Sequence, residues 1–137
     1  MLSKIILASH GTLAEGVFKA ASIILGNKET ERVQFLNCYI DEKQDVVKDI
    51  NEIVESCDNN TVVFTDIFGG SVNNNFYSKM EEKGFLLVSG LNLPMLIEAL
   101  LFQGDIDEYK EHLKNSASEY IKILELSDSE ESVDEEF

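Results

Sequence analysis

The chemistry-bearing residues are few. His10 ends the run Lys4-Ile5-Ile6-Leu7-Ala8-Ser9-His10-Gly11-Thr12, in which an apolar, strand-like segment stops at an imidazole and a helix opens behind it. A histidine at the carboxyl end of a strand and the amino end of a helix sits where an anion is stabilised. It can also serve as a nucleophile, because a carboxylate partner on one ring nitrogen leaves the other lone pair free. Asp66 is the candidate partner, at the end of a second apolar run, with a turn or helix cap as its structural alternative. Behind it stands Gly69-Gly70-Ser71. Two glycines let backbone N–H groups approach an anion, and a serine can cap a helix while offering its hydroxyl to a phosphoryl oxygen. The same triplet is also ordinary turn chemistry. Thr12 could touch the same anion or simply cap its helix. Together these residues point to a phosphorylated histidine.

Other candidates read differently. His112 lies in the charged stretch Asp107-Glu-Tyr-Lys-Glu-His112-Leu-Lys and is expected on a solvated helix face. Leu96, Ile97, Leu100 and Leu101 form a core stripe. Cys38 and Cys57 form no CxxC pair and are expected to be reduced and structural. With no His/Cys cluster, neither a metal nor any other cofactor is expected.

The elements that must position these groups alternate along the chain. Strand patterns occupy residues 4–9, 32–36, 61–65 and 85–89, and helical patterns lie between and after them. The first helix carries Leu13, Val17, Ala20, Ala21 and Ile24 at helical spacing, with a Thr12/Glu15 capping-box spacing before it and Gly26 as its stop. An amphipathic helix is expected over 41–56. Another runs through Val72, Phe76 and Met80 to Gly84, and a third opens near Pro94 and runs to about 102. A last helix is expected over 107–117. Residues 120–126 read as a final strand or a continuation of that helix, the strand being favoured. Repeated βα units imply an α/β fold with an open, mainly parallel sheet and helices on both faces. Ligands in such sheets bind at the carboxyl ends of the strands, where strand order reverses. A flavodoxin-like order, taken by analogy, would make strands one and three neighbours and bring His10 and Asp66 to one crevice.

The bulk numbers set limits. A chain of 137 residues with 44% hydrophobic content suits one domain, here residues 1–126. No apolar run approaches the roughly 20 residues needed to span a bilayer. The start resembles no cleavable leader, so a cytoplasmic location is expected. The net charge is −15. Residues 127–137 form an acidic tail expected to be disordered, a solubilising terminus more than a binding motif. Seven of the 26 acids lie from Glu125 onward with no base; the remaining 19 against 11 bases leave the body at −8. That charge disfavours nucleic acid and anionic membranes as partners.

Taken together, Ala8-Ser9-His10-Gly11, Asp66-Ile67-Phe68-Gly69-Gly70-Ser71 with Asn74, and Val88-Ser89-Gly90-Leu91-Asn92-Leu93-Pro94-Met95-Leu96-Ile97-Glu98 resemble the enzyme IIA domain of the mannose-type sugar phosphotransferase system. The resemblance spans roughly the first hundred residues. It implies a cytoplasmic phosphocarrier that accepts a phosphoryl group from the histidine phosphocarrier protein. It would pass that group to the IIB component, which serves the membrane IIC and IID components. Carried over residue by residue, His10 is the phosphoryl acceptor and Asp66 its hydrogen-bond partner. Ser71 and residues 67–70 form the phosphate-binding loop. The resemblance also implies a homodimer that exchanges a C-terminal antiparallel strand, which would suit residues 120–126. The family's proline after Gly-Gly-Ser is Val72 here, which puts the stiffness of the loop in question. The acidic tail has no counterpart in the family pattern.

Three other readings compete. A regulatory phosphohistidine binding domain on the same fold would be expected to carry an effector or DNA-binding segment, and none is evident. An aspartate-phosphorylated receiver needs an acidic cluster after strand one, where Ser9-His10-Gly11 stands. A dinucleotide enzyme needs a GxGxxG loop that this chain lacks.

Overall fold

The computed structural model describes residues 1–127. The strands are β1 (Lys4–His10), β2 (Val33–Cys38), β3 (Thr61–Thr65) and β4 (Leu86–Ser89). They form one four-stranded sheet in the order β2-β1-β3-β4, and every pairing is parallel. The helices are α1 (Leu13–Leu25), α2 (Val46–Val54), α3 (Ser71–Tyr77), α4 (Met80–Lys83), α5 (Leu93–Leu101) and α6 (Ile106–Ser116). Among the described residues, no helix is long and apolar enough to cross a membrane.

The two-residue repeat of a strand explains why the sheet is covered on both sides. In β1, Ile5 and Leu7 enter one core with α1, α5 and α6, whereas Ile6 and Ala8 enter the other with α2 and α3. Strand β3 divides likewise, with Val62 and Phe64 on the first side and Val63 on the second. All these side chains are fully buried. Each contributes about 1.5–3 kcal/mol by leaving water, alanine excepted. The two central strands are therefore held rigidly by their side chains, and their carboxyl ends form a fixed platform.

Several local expectations need correcting. Thr12 occupies the position before α1 but makes no capping bond, because its φ of −104° and ψ of 17° are not the extended geometry a cap needs. The Ala14 N–H instead donates to the buried Oγ of Ser9 at 2.8 Å, so a strand residue caps the helix that follows. Helix α2 starts late, at Val46, with Asp45 accepting from the Lys48 N–H at 3.1 Å. The preceding Asp41 spends its carboxylate on the Lys43 N–H at 2.7 Å, a local turn that competes with helix. The helix expected through residues 72–83 divides into α3 and α4. Near the break, Asn75 Nδ2 donates to the Ser71 carbonyl and Ser78 Oγ to the Asn75 carbonyl, each at 2.8 Å, and Gly84 ends α4 at φ 74°.

The C-terminal strand does not form within this single chain. After α6 comes a 3-10 turn, Ala117–Tyr120, and then residues 121–125 without regular structure. Ile121 is already extended, at φ −107° and ψ 122°, but no strand of the sheet pairs with this segment. An extended segment counts as a strand only when a neighbour takes its hydrogen bonds. Residues 128–137 of the expected acidic tail lie outside the described residues.

His112 is not simply solvated. Its Nε2 pairs with the Glu98 carboxylate, and its ring packs at 5.3 Å from that of Phe102. It ties α6 to α5, on a different part of the fold from His10.

Candidate functional site

The site lies where the chain order reverses. From β1 the chain moves to β2 on one side and then returns to β3 on the other, so the carboxyl ends of β1 and β3 are adjacent. This is the crevice position for ligands in open parallel sheets. His10 is the last residue of β1, and Asp66 directly follows β3. Ala8 pairs with Thr65 in the ladder, which puts the two functional side chains side by side.

Asp66 Oδ2 accepts from the ring Nδ1 of His10 at 2.8 Å and from the His10 backbone N–H at 2.9 Å. Its other oxygen accepts from the Ile67 N–H at 3.0 Å. An ionised carboxylate only accepts, so in the neutral ring Nδ1 carries the proton and the lone pair stays on Nε2. Burial of Asp66 pushes its carboxyl pKa up, but the hydrogen bonds and charge of His10 together outweigh this and hold it below the ordinary value. The His10 side chain is 45% exposed and that of Asp66 only 13%. The imidazole is therefore open to solvent while its orienting carboxylate is largely covered.

The loop after Asp66 wraps the edge of this imidazole. Gly69 adopts φ 78°, a left-handed conformation that suits glycine. At Gly70 the backbone is ordinary, but a Cβ there would lie 2.8 Å from Ile67 Cγ2 and 3.5 Å from His10 Cε1. At the second glycine a side chain would have to displace Ile67. Gly70 takes the cap position of α3 and Ser71 its first turn, so the helix opens one residue earlier than Ser71 as a cap would have it. The loop is anchored from below by Thr65, whose hydroxyl donates to Asn73 Oδ1 at 2.7 Å, and from the side by Asn74, whose Nδ2 donates to the Gly69 carbonyl at 3.2 Å. Val72, where proline would have stiffened the turn, is fully buried in the second core. Packing supplies there the restraint that a proline ring would give. Thr12 opens α1 just after His10 and is exposed, and it shares no hydrogen bond with His10, Asp66 or Ser71.

One residue at the site escaped the sequence reading. The ring of Tyr39 stacks on that of His10, with centroids 5.3 Å apart and planes inclined at 26°. Its hydroxyl lies 2.9 Å from Ser71 Oγ. The expected end of the second strand at residue 36 consigned Tyr39 to a connecting loop. The strand runs on to Cys38, level with His10 in the ladder. An aromatic just past a strand end, on the side where His10 also ends its strand, was the available signal. Tyr39 has φ 61°, the one positive-φ non-glycine among the described residues. That conformation costs a bulky L-residue about 1–2 kcal/mol.

Cys38 lies beneath the same crevice but is no competing nucleophile. Burial first, then the charges of Asp66 and Asp49, push its thiol pKa up to about 11.

Comparison with known proteins agrees with this geometry. A 1.70 Å crystal structure of a provisionally assigned phosphoenolpyruvate-dependent sugar phosphotransferase system permease from Klebsiella pneumoniae is 31% identical, with a TM-score of 0.78, covering 88% of this chain and 89% of that one. The mannose/sorbose specific IIA subunit of the phosphotransferase system from Enterococcus faecalis is 26% identical at a TM-score of 0.78, covering 94% and 99%. The phosphotransferase system component EIIA from Streptococcus agalactiae is 28% identical at a TM-score of 0.75, covering 88% and 95%. The profile of the family described as the PTS system fructose IIA component, EIIA-man, matches residues 4–130, and this chain belongs to that family of sugar phosphotransferase IIA components.

Proposed function

We propose that the protein is a cytoplasmic phosphocarrier that takes a phosphoryl group on Nε2 of His10 from the histidine phosphocarrier protein and hands it to a histidine of the IIB component. The observation that carries this reading is the 2.8 Å bond from His10 Nδ1 to Asp66, which leaves the exposed Nε2 with a lone pair. That lone pair forms the new N–P bond while the N–P bond of the donor breaks, its electrons returning to the donor's ring nitrogen. The proton on Nδ1 stays between His10 and Asp66, and the carboxylate balances the positive ring that forms. Ser71 and the backbone of residues 67–70 lie beside the ring and suit the phosphoryl oxygens. Thr12 is a marginal contributor. IIB in turn serves the membrane IIC and IID components, and no residue of this chain needs to touch sugar.

The working unit is proposed to be a homodimer in which residues 121–126 of each chain pair with the sheet of the other. Ile121, Ile123, Leu124 and Leu126 support this, since all four are exposed on a segment that no strand among the described residues pairs with.

Incubation with phosphoenolpyruvate, enzyme I and the phosphocarrier protein should add one acid-labile, base-stable phosphoryl group, read as an intact-protein mass shift. His10→Ala should abolish it and His112→Ala should not. Undiminished labelling of the His10→Ala protein would overturn the assignment.

A further inference from the structure

We infer that Tyr39 is a positioning residue for phosphoryl transfer: its ring holds the His10 imidazole, and its hydroxyl passes from Ser71 to a phosphoryl oxygen once His10 is loaded. The inference rests on the phosphocarrier reading above and adds to it a residue from a third strand end.

Three observations point the same way. Tyr39 touches both halves of the site, stacking on His10 and meeting Ser71 Oγ at 2.9 Å. It does so from a strained backbone that glycine would relieve, and glycine would remove the ring. The strain is also held in place on purpose-built contacts. Gln44 brackets the residue, accepting from the Ile40 N–H at 3.1 Å and donating from Nε2 to the Asn37 carbonyl at 2.8 Å. On the other flank, the Cys38 carbonyl accepts from the Gly11 N–H at 2.7 Å, locking the strand end to the turn that follows His10. Strain that its surroundings over-determine at a reactive group is a marker of function.

The chemistry follows from the two hydroxyls. Before transfer, Tyr39 and Ser71 satisfy each other. A phosphoryl group on Nε2 brings three strong acceptor oxygens into the crevice, and both hydroxyls can turn to donate to it. The tyrosine proton remains on its oxygen throughout, so it strengthens charge binding without entering the proton balance. Stacking meanwhile restricts rotation of the ring about the axis that Asp66 alone leaves least controlled, the tilt of its plane.

Two variants separate the parts. Tyr39→Phe keeps the ring and should load fully on His10, but should pass the phosphoryl group to IIB about tenfold more slowly and lose it to water faster, as expected for one missing hydrogen bond to a charged group. Tyr39→Gly should melt no lower than wild type, transfer more slowly still, and shift the His10 ring resonances in NMR spectra by loss of the stacked ring. Gln44→Ala should fall between them. Wild-type transfer in both Tyr39 variants overturns the inference. Slow transfer by Tyr39→Gly accompanied by a matching drop in melting temperature also overturns it, by making the tyrosine merely structural. A wild-type rate for Tyr39→Phe alone overturns the role of the hydroxyl. A wild-type protein that takes no phosphoryl group is a separate result, which overturns the phosphocarrier reading and this inference with it.

Discussion

Asp66 Oδ2 accepts two hydrogen bonds from the same residue, His10: one from the ring Nδ1 at 2.8 Å and one from the backbone N–H at 2.9 Å. A single carboxylate oxygen thus fixes both where the strand end lies and which ring nitrogen carries the proton. Replacing it with Asn should preserve the fold, since the amide oxygen can still accept, but remove the charge that stabilises the loaded ring. Transfer to IIB should slow by about 10²–10⁴, the range for orienting and acid–base groups. Rapid-quench kinetics on Asp66→Asn tests this, and a wild-type rate would reduce Asp66 to a strand-end cap.

The same pair makes stability depend on pH in a known direction. The folded Asp66 carboxyl lies below its ordinary 3.8 despite the opposing effect of burial, because the hydrogen bonds from His10 favour the ionised form. The unfolded chain therefore binds this proton more tightly. The stabilisation is fully present above about pH 5 and fades as the pH falls through the unfolded and then the folded value. Thermal melts of wild type and Asp66→Asn between about pH 5 and 2.5 should show their difference shrinking toward acid. A difference that stays constant over that range would mean the carboxylate contributes no proton-linked stability.

Gly70→Ala separates fit from folding. The backbone at Gly70, φ −73° and ψ 164°, accepts alanine, but the new methyl would meet Ile67 Cγ2 at 2.8 Å. Ile67 is 58% exposed and free to swing outward. The stability change should stay within about 1 kcal/mol, while transfer falls because the displaced loop no longer matches His10. Adding Ile67→Ala should recover much of the rate. A double-mutant cycle with no coupling between the two positions would contradict the steric account.

His112→Ala should label normally and lose little stability. The pair with Glu98 is partly exposed, its side chains being 41% and 33% accessible, so its worth is about 1 kcal/mol or less. Loss of labelling in a variant that remains folded would reveal a connection between the two histidines that the geometry does not contain.

The exposed apolar residues after Tyr120 give the assembly test. A chain ending at Leu126 should remain dimeric by light scattering, because the segment beyond it is dominated by acidic and polar residues. A chain ending at Tyr120 keeps the residue that packs against the core and loses the four exposed apolar side chains, and should be monomeric or aggregate. A stable, well-behaved dimer from the shorter chain would place the interface elsewhere.

What the sequence determined by itself was whatever depends on short-range pattern. The apolar runs of β1 and β3 announced strands, and the βα alternation implied a parallel sheet. Strand-end chemistry at His10, Asp66 and Gly69-Gly70-Ser71 marked the crevice, because a strand end and the turn behind it are neighbours in the chain. What only the tertiary structure decided were contacts between elements whose ends compete locally. Ser9 rather than Thr12 caps α1, because the backbone after His10 turns too tightly for Thr12 to reach the cap geometry. Tyr39 joins the site because β2 extends to the level of His10, two residues past the point where its hydrophobic pattern fades. His112 is drawn onto Glu98 because α5 and α6 pack together, a proximity invisible in a charged helical stretch. Residues 120–126 show the limit most clearly: the alternation of Tyr120 to Ile123 favours a strand, but a strand exists only where a sheet edge takes its hydrogen bonds, and neither edge strand of this sheet, β2 or β4, pairs with the segment.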